Sequence, residues 1–254
     1  MSIYDHFRPE EAVFVDRVIE WRNSAEQYYK MKLTDFLDPR EQQIIDALMP
    51  DEAVRFYGGA NGTERRRALI LPPYYEPNVA DFQIEVLRIQ YATKFFSIEH
   101  RQMLGALMSL GLKREKYGDI FIGTDEIYLF VAKEIADYII MNLQSVGKAK
   151  VSVSSAEGQR IILPAEEWTE KNGTVSSLRV DALLAEMFNI SRQKTQLLIK
   201  GGLVKVNWKV VEQPSYECFN GDVLSARGHG RAKILSIDGK SKRDKWKIMY
   251  GLLK

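Results

Sequence analysis

The chain has 254 residues, 45% hydrophobic and 28% charged, the balance of a globular protein with room for more than one packed core. No apolar run reaches the ~20 residues that a bilayer-crossing helix needs, and residues 1–11 carry Asp5, Glu10 and Glu11 where an export signal would be apolar. The single cysteine, Cys218, excludes an internal disulfide, and one Cys with three scattered His (His6, His100, His229) excludes a four-ligand structural zinc. A cytoplasmic address is expected, with no metal and no cofactor. The net charge of +2 conceals an asymmetry. From Thr174 to Lys254 there are 15 Lys+Arg against 7 Asp+Glu, a net of +8, while residues 1–173 hold 21 against 27, a net of −6. A basic final third is the footprint of a polyanion binder.

Residues 8–50 read as helical. Pro9-Glu10-Glu11 supplies acidic first-turn residues, and Val13, Phe14, Val18 and Trp21 fall near helical spacing. Asp38-Pro39 is an N-cap followed by a first-turn proline, and Ile44, Ile45, Leu48 and Met49 give that helix an apolar stripe. Strands follow at Ala53–Tyr57 and Ala68–Leu71, joined by a glycine-rich loop from Gly58 to Gly62. Pro72, Pro73 and Pro77 mark a boundary, so 1–76 is read as an N-terminal α/β subdomain.

In 77–165, Phe82, Ile84 and Val86 alternate as in a strand, and the phase then slips to Leu87, Ile89 and Tyr91, which predicts a bulge. Helices over 98–110 and 132–143 flank a hairpin at 120–122 and 127–130, and 150–154 is extended. This β-α-β-β-α-β order predicts a ferredoxin-like (split βαβ) middle domain. Its aromatics Tyr91, Phe121, Tyr128 and Phe130 are assigned to the core in preference to base stacking. Residues 154–173 read as a connector, with a strand at 160–163 and a turn at Asn172-Gly173. The basic domain, 174–254, completes an α+β chain.

Two short helices are expected in that domain. The first spans 178–188 with Ser177 as N-cap and a stripe of Val180, Leu183, Leu184, Met187 and Phe188. The second starts at an N-cap, Ser191, and ends at Gly201 or Gly202. Arg192, Gln193, Gln196 and Lys200 fall within an arc of roughly 100° on it, while Leu197 and Leu198 point away toward a packed face. Such a helix start favours phosphate through free N–H groups and the dipole. A hairpin follows, with Val204 and Val206 alternating with Lys205 and Asn207 and a return from Val210. After a turn at Gly221-Asp222 the chain leaves through Arg227, Arg231 and Lys233.

This domain resembles the RNA-binding domain of ribosomal protein S-four, the αL motif. The resemblance rests on Leu178-Arg179-Val180-Asp181, Leu184, Ser191-Arg192, Leu197, Ile199, Gly202, Val204, Val206-Asn207, Pro214-Ser215, Gly221-Asp222 and Arg227. It implies an RNA surface formed by Arg179, Ser191, Arg192, Gln193, Lys194, Gln196, Lys200 and Lys205. Asn207, Trp208, Lys209, Arg227, Arg231 and Lys233 extend that set. One departure stands out: Asn207-Trp208 replaces the family's usual Asn-Gly at the hairpin tip. Positive φ at both central residues of a type I′ turn disfavours tryptophan, so a longer turn, or a Trp208 displayed for stacking, is expected.

Over its whole length the chain resembles the YlmH family of bacterial proteins, through Tyr4-Asp5-His6-Phe7-Arg8-Pro9-Glu10-Glu11, Gly58-Gly59 to Arg67, and the αL domain. That resemblance implies a bacterial factor that binds rRNA and tRNA on the large ribosomal subunit during quality control of stalled nascent chains; a monomer without enzymatic activity is expected. Arg65, Arg66 and Arg67 beside the glycine loop form a possible second RNA site, against the reading of a plain turn. Cys218 reads as an apolar filler. The rival reading is an RNA-modifying enzyme, of pseudouridine synthase or methyltransferase type, with the basic domain as a targeting arm. Arg179-Val180-Asp181 superficially fits the first type, and no glycine-rich cofactor loop supports the second.

Overall fold

In a computed structural model, residues 3–156, 161 and 167–253 are described. The chain divides into two compact units, Met1–Pro164 and Ala165–Lys254.

The first unit opens with α1 (Ala12–Tyr28), which stops where Tyr29 turns left-handed at φ 51°. The next segment corrects the all-helical reading of 8–50, because β1 (Lys32–Leu37) lies between two helices. Thr34 and Phe36 alternate inward there, a period-two signal only a few residues long. Then α2 (Pro39–Leu48) begins as predicted. The Asp38 carboxylate accepts the Glu41 N–H at 2.9 Å, and the Glu41 carboxylate accepts the Asp38 N–H at 2.8 Å. Strands β2 (Val54–Tyr57) and β3 (Arg66–Ile70) complete an antiparallel sheet of order β1-β3-β2. Val15 and Val18 of α1 meet Ile44, Ile45 and Leu48 of α2 over Val54, Ala68 and Ile70.

A second sheet follows from β4 (Ile84–Tyr91), α3 (His100–Ser109), β5 (Tyr117–Ile122), β6 (Glu126–Ala132), α4 (Lys133–Asn142), β7 (Ser145–Val146) and β8 (Ala149–Ser155). Its order is β5-β6-β4-β8-β7, antiparallel throughout, so the four longer strands have the split βαβ arrangement. The expected bulge in β4 is absent. That strand pairs β6 without a break from Ile84↔Ala132 to Gln90↔Glu126, and Phe82 belongs to the helical turn before it. The phase slip has another cause: β4 is covered on both faces. Leu87 and Ile89 pack toward the helices, whereas Ile84 and Val86 pack with Phe36, Phe130 and Ala132 on the opposite side. A doubly covered strand reads as a continuous apolar run.

The assignment of four aromatics to the core holds for Phe130, which is fully buried, and for Tyr91, which packs on the helix-side cluster. It fails for Phe121 and Tyr128. Both are half-buried and lie on the face without helices, since their strand neighbours Ile120, Ile122, Ile127 and Leu129 fill the helix side.

The second unit contains β9 (Trp168–Val175), α5 (Val180–Met187), α6 (Arg192–Lys200), β10 (Val204–Val206), β11 (Lys209–Val210), β12 (Val223–Ala226), β13 (Gly230–Lys240) and β14 (Trp246–Leu253). The sheet runs β11-β10-β12-β13-β14-β9. Strand β9 occupies the stretch read as a connector, and Asn172-Gly173 lies inside it rather than in a turn; all eight residues pair with β14. It is an edge strand of polar composition, so nothing apolar advertises it. The strand expected at 160–163 falls outside the described residues apart from Ile161. Helix α5 also starts later than predicted, with Arg179 and not Ser177 at the cap position. Residues 178–180 pair instead with 216–218: Cys218 N–H donates to Leu178 O at 2.9 Å and Val180 N–H to Tyr216 O at 2.8 Å. Val180, Leu183, Leu184 and Met187 fill the core with Ile199, Val204, Val206, Leu224, Ile234 and the fully buried Cys218.

Candidate nucleic-acid interface

Helix α6 is built as a presented helix start. Ser191 Oγ accepts the Lys194 N–H at 3.2 Å. The N–H groups of Arg192 and Gln193 precede any possible intrahelical partner and are left for solvent or ligand. At the other end Gly202, at φ 66°, lets Leu203 N–H reach Leu198 O and its own N–H reach Ile199 O, both at 3.0 Å. That closes the helix in a Schellman motif and sends the chain into β10. The buried side of α6 consists of Thr195 and Ile199, with Leu198 partly covered. Leu197 corrects the predicted packed face: it is 67% exposed.

The geometric centre is a carboxylate. Asp181, in the first turn of α5, has no exposed surface. Its Oδ1 accepts from Arg179 Nε at 3.1 Å, and its Oδ2 accepts from an Arg179 terminal nitrogen at 3.2 Å, from Arg192 Nε at 3.3 Å and from Gln196 Nε2 at 3.4 Å. Thr195 Oγ1 adds a bond to the Asp181 carbonyl at 3.2 Å. Burial opposes ionisation of this carboxyl more than any other single cause, yet donation by Gln196, Arg179 and Arg192 outweighs it and holds the acid below its ordinary range. The two arginine side chains stay 39% and 50% exposed, so each is fixed from behind and keeps donors to spare. Such a pre-set pair suits phosphate oxygens, because little side-chain freedom is left to lose on binding.

The other predicted residues separate into groups. Gln193, Lys194 and Lys200 are exposed on α6. Lys205, Arg231 and Lys233 share the outer face of the sheet, opposite the core: Lys205 pairs with Ser225, and Ser225 with Arg231, while Val204, Ala232 and Ile234 point inward. Lys209 lies on the edge strand β11, and Arg227 in the turn between β12 and β13, exposed.

The hairpin tip is a two-residue turn, not a longer one. Val206 pairs with Lys209, and Asn207 and Trp208 both have positive φ, 48° and 66°. Asn207 leaves the RNA-facing set. It is buried, its amide donates to Asp222 Oδ1 at 2.8 Å, and its amide oxygen accepts Val223 N–H at 2.9 Å. Its left-handed conformation is thereby fixed, and half-buried Trp208 follows it round the turn.

Two of the three arginines named for a second site in the first unit are taken up by the protein's own backbone in the same way. Arg67 is buried, with Nε donating to Thr34 O at 2.7 Å and a terminal nitrogen to Phe82 O and Gln83 O at 3.1 and 3.0 Å. Arg65, also buried, donates to Phe36 O at 2.7 Å. Arg66 is exposed, and its Nε donates to Thr63 O at 3.0 Å. The β1–β3 register breaks between Leu33 and Phe36, and Arg67 donates to the Thr34 carbonyl inside that break.

Known proteins match segments of both units. Residues 77–160 match the family model described as "Putative RNA-binding domain in YlmH", and residues 178–224 match the S4 domain. The chain is 46% identical over 251 residues to the ribosome-associated protein quality control protein P2 of Bacillus subtilis (strain 168), covering 98% of each. The chain belongs to the YlmH family. A solved structure, cell division protein ylmH from Streptococcus pneumoniae, matches with a TM-score of 0.50 at 27% identity, over 61% of this chain and 95% of that one. The 178–224 match contains α5, α6 and the whole Asp181 cluster, so this YlmH-family chain carries its pre-set cations inside the S4 segment. Sequence reading quoted Asp181 only as part of a motif. Its partner Arg192 is eleven residues away, and only the packing of α5 against α6 brings the two together.

Proposed function

We propose that this YlmH-family chain is a non-enzymatic, cytoplasmic factor that docks as a monomer on rRNA and tRNA of the large ribosomal subunit, in quality control of stalled nascent chains. The observation that carries the reading is the pair of exposed guanidiniums locked by buried Asp181 at the capped start of α6, within the S4 segment. The name of the B. subtilis relative supplies the ribosomal setting. Capture is electrostatic, through the +8 final third. Positioning then falls to Arg179, Ser191, Arg192, Gln193, Lys194, Gln196 and Lys200 on one part of the unit, and to Lys205, Trp208, Lys209, Arg227, Arg231 and Lys233 on the strands and turns.

The rival, a pseudouridine synthase, would need Asp181 as its catalytic aspartate. That carboxylate has no exposed surface and is engaged by three side chains, which disfavours its presentation to a base. Among the described residues, no helix is long and apolar enough to cross a membrane. The test is sedimentation of a cell lysate through a sucrose gradient at low and high salt. The protein is expected with large subunits at low salt and at the top of the gradient at high salt. A protein at the top under both conditions, or a modified nucleoside after incubation with RNA, overturns the reading.

A further inference from the structure

The net charge of the final third is not evenly spread. Residues 240–247, Lys-Ser-Lys-Arg-Asp-Lys-Trp-Lys, hold five cations and one carboxylate, +4 of the +8 carried by residues 174–254. They form the end of the β13–β14 hairpin, where Lys240 pairs with Trp246. Ser241 N–H donates to Lys245 O at 2.7 Å and Asp244 N–H to Ser241 O at 3.0 Å, while Ser241 Oγ accepts the Lys245 N–H at 3.2 Å. Asp244 takes the left-handed position at φ 55°, which a short polar side chain tolerates. Trp246 packs on the core of the unit, with Lys240 Nζ 5.6 Å from the centre of its ring. The tip is a tied turn on a packed base.

A surface that serves only to keep a protein dissolved mixes charges of both signs. Here the one carboxylate, Asp244, is matched by Lys240 at 2.7 Å. Lys242, Arg243, Lys245 and Lys247 are exposed and make no ion pair among the described residues. Four like charges so close repel one another, a cost that a polyanion removes. With the indole turned to the core, the tip presents charge and not a ring, so it suits the phosphate backbone and carries no base preference. It is also apart from the cations at the other end of the strand. Strand β13 runs for 11 residues, roughly 30 Å, from the Arg227 turn to the tip, several times the ~8 Å over which salt screens exposed charges. The tip lies outside residues 178–224, the segment matched to the S4 domain.

We propose that the β13–β14 tip is a second RNA contact, in which Lys242, Arg243, Lys245 and Lys247 hold phosphates of a stretch of RNA beyond the part bound at α6. The proposal rests on the reading of the chain as an RNA binder, but on different residues. The test titrates the full chain with an RNA hairpin whose stem has about 20 base pairs, long enough to pass both contacts, at several salt concentrations. Lys242→Gln, Arg243→Gln, Lys245→Gln and Lys247→Gln combined should lower affinity by about tenfold or more. The slope of log affinity against log salt should fall by about 3 to 4. A stem of about 6 base pairs cannot reach both contacts, so its binding should change far less. In the wild-type protein, acetylation of Lys242, Lys245 and Lys247 should slow when the long stem is bound, which decides the matter even if the variant fails to fold. Unchanged affinity and slope in a folded variant, an equal loss on both stems, or tip lysines left unprotected in the complex overturns the second contact and leaves the ribosomal reading standing. So does protection by polyglutamate but not by RNA, which would make the tip a dock for an acidic protein. A wild-type protein that binds neither the stems nor ribosomes sinks both.

Discussion

Arginines do opposite things in the two units. Arg65 and Arg67 turn their guanidiniums inward and cap main-chain carbonyls, whereas Arg179 and Arg192 are gripped by a buried carboxylate and face outward. The difference lies in what each backbone leaves unsatisfied. A register break in β1 contains the Thr34 carbonyl, which needs a donor, and Arg67, a charged donor deep in the protein, supplies it. The α5–α6 contact instead buries one carboxylate, which demands cations but has too few oxygens to occupy all their donors. A local run of arginines is therefore a poor guide to an RNA surface. The decisive fact is whether each guanidinium has donors to spare.

The sharpest way to break this contrast is Arg67→Ala. It takes the guanidinium donor from the carbonyls of Thr34 and Phe82 and one of two donors from Gln83 O, which keeps the Lys133 N–H, at a cost of about 3 kcal/mol. Denaturant unfolding of the first unit should show the loss, while RNA affinity of the folded protein stays the same. A stable variant with weakened RNA binding would return this arginine to the RNA-facing set.

Asp181→Asn comes next in size, because it acts on both sides of the contrast. It should cost roughly 1–3 kcal/mol of stability and also weaken RNA binding, since Arg179 and Arg192 lose the anchor that orders them. The pH dependence has a definite sign. A carboxyl held below its ordinary value gives stability that is complete above that value and lost as pH falls through the folded-state value. The stability gap between wild type and variant should thus be constant near neutrality and shrink toward zero below about pH 3.9. A gap that widens on acidification contradicts the assigned direction.

Arg192→Ala with Lys200→Ala takes one of three side-chain partners from buried Asp181, so a loss of stability smaller than that of Asp181→Asn is expected, and it should reduce the slope of log affinity against log salt by about 2. Unchanged affinity with an intact circular dichroism spectrum removes α6 from the interface.

What was legible beforehand follows the same division between local and non-local causes. The Asp38 capping box, the Ser191 cap, the α5 stripe and the split βαβ order are set by residues a few positions apart, and all of them appear in the structure. Strand β9 was hidden because an edge strand needs no apolar signal, and β4 misled because both its faces are covered. The fates of Arg67, Asp181 and Asn207 depend on partners 11 to 33 residues away, so sequence spacing was silent on them. Phe121 and Tyr128 fell between these cases: their strands were placed, but which face each ring takes depends on the pairing with Arg88.

The smallest expected effect concerns the hairpin tip, where a side chain with a conformational cost sits beside exposed cations. Trp208 holds φ at 66°, a region that costs a residue with a Cβ about 1 kcal/mol and costs glycine nothing. Asn207 in the same turn recovers its cost through Asp222 and Val223. Half-buried Trp208 stands beside exposed Lys209, where an indole can stack on an RNA base. Trp208→Gly should then stabilise the second unit by up to about 1 kcal/mol and weaken RNA binding together. Opposite signs in the two measurements are the signature of a residue held against its backbone preference for contact with a ligand. A destabilised variant with normal RNA affinity would make Trp208 a cover for the hairpin, and would leave the cations around it as the whole of the interface there.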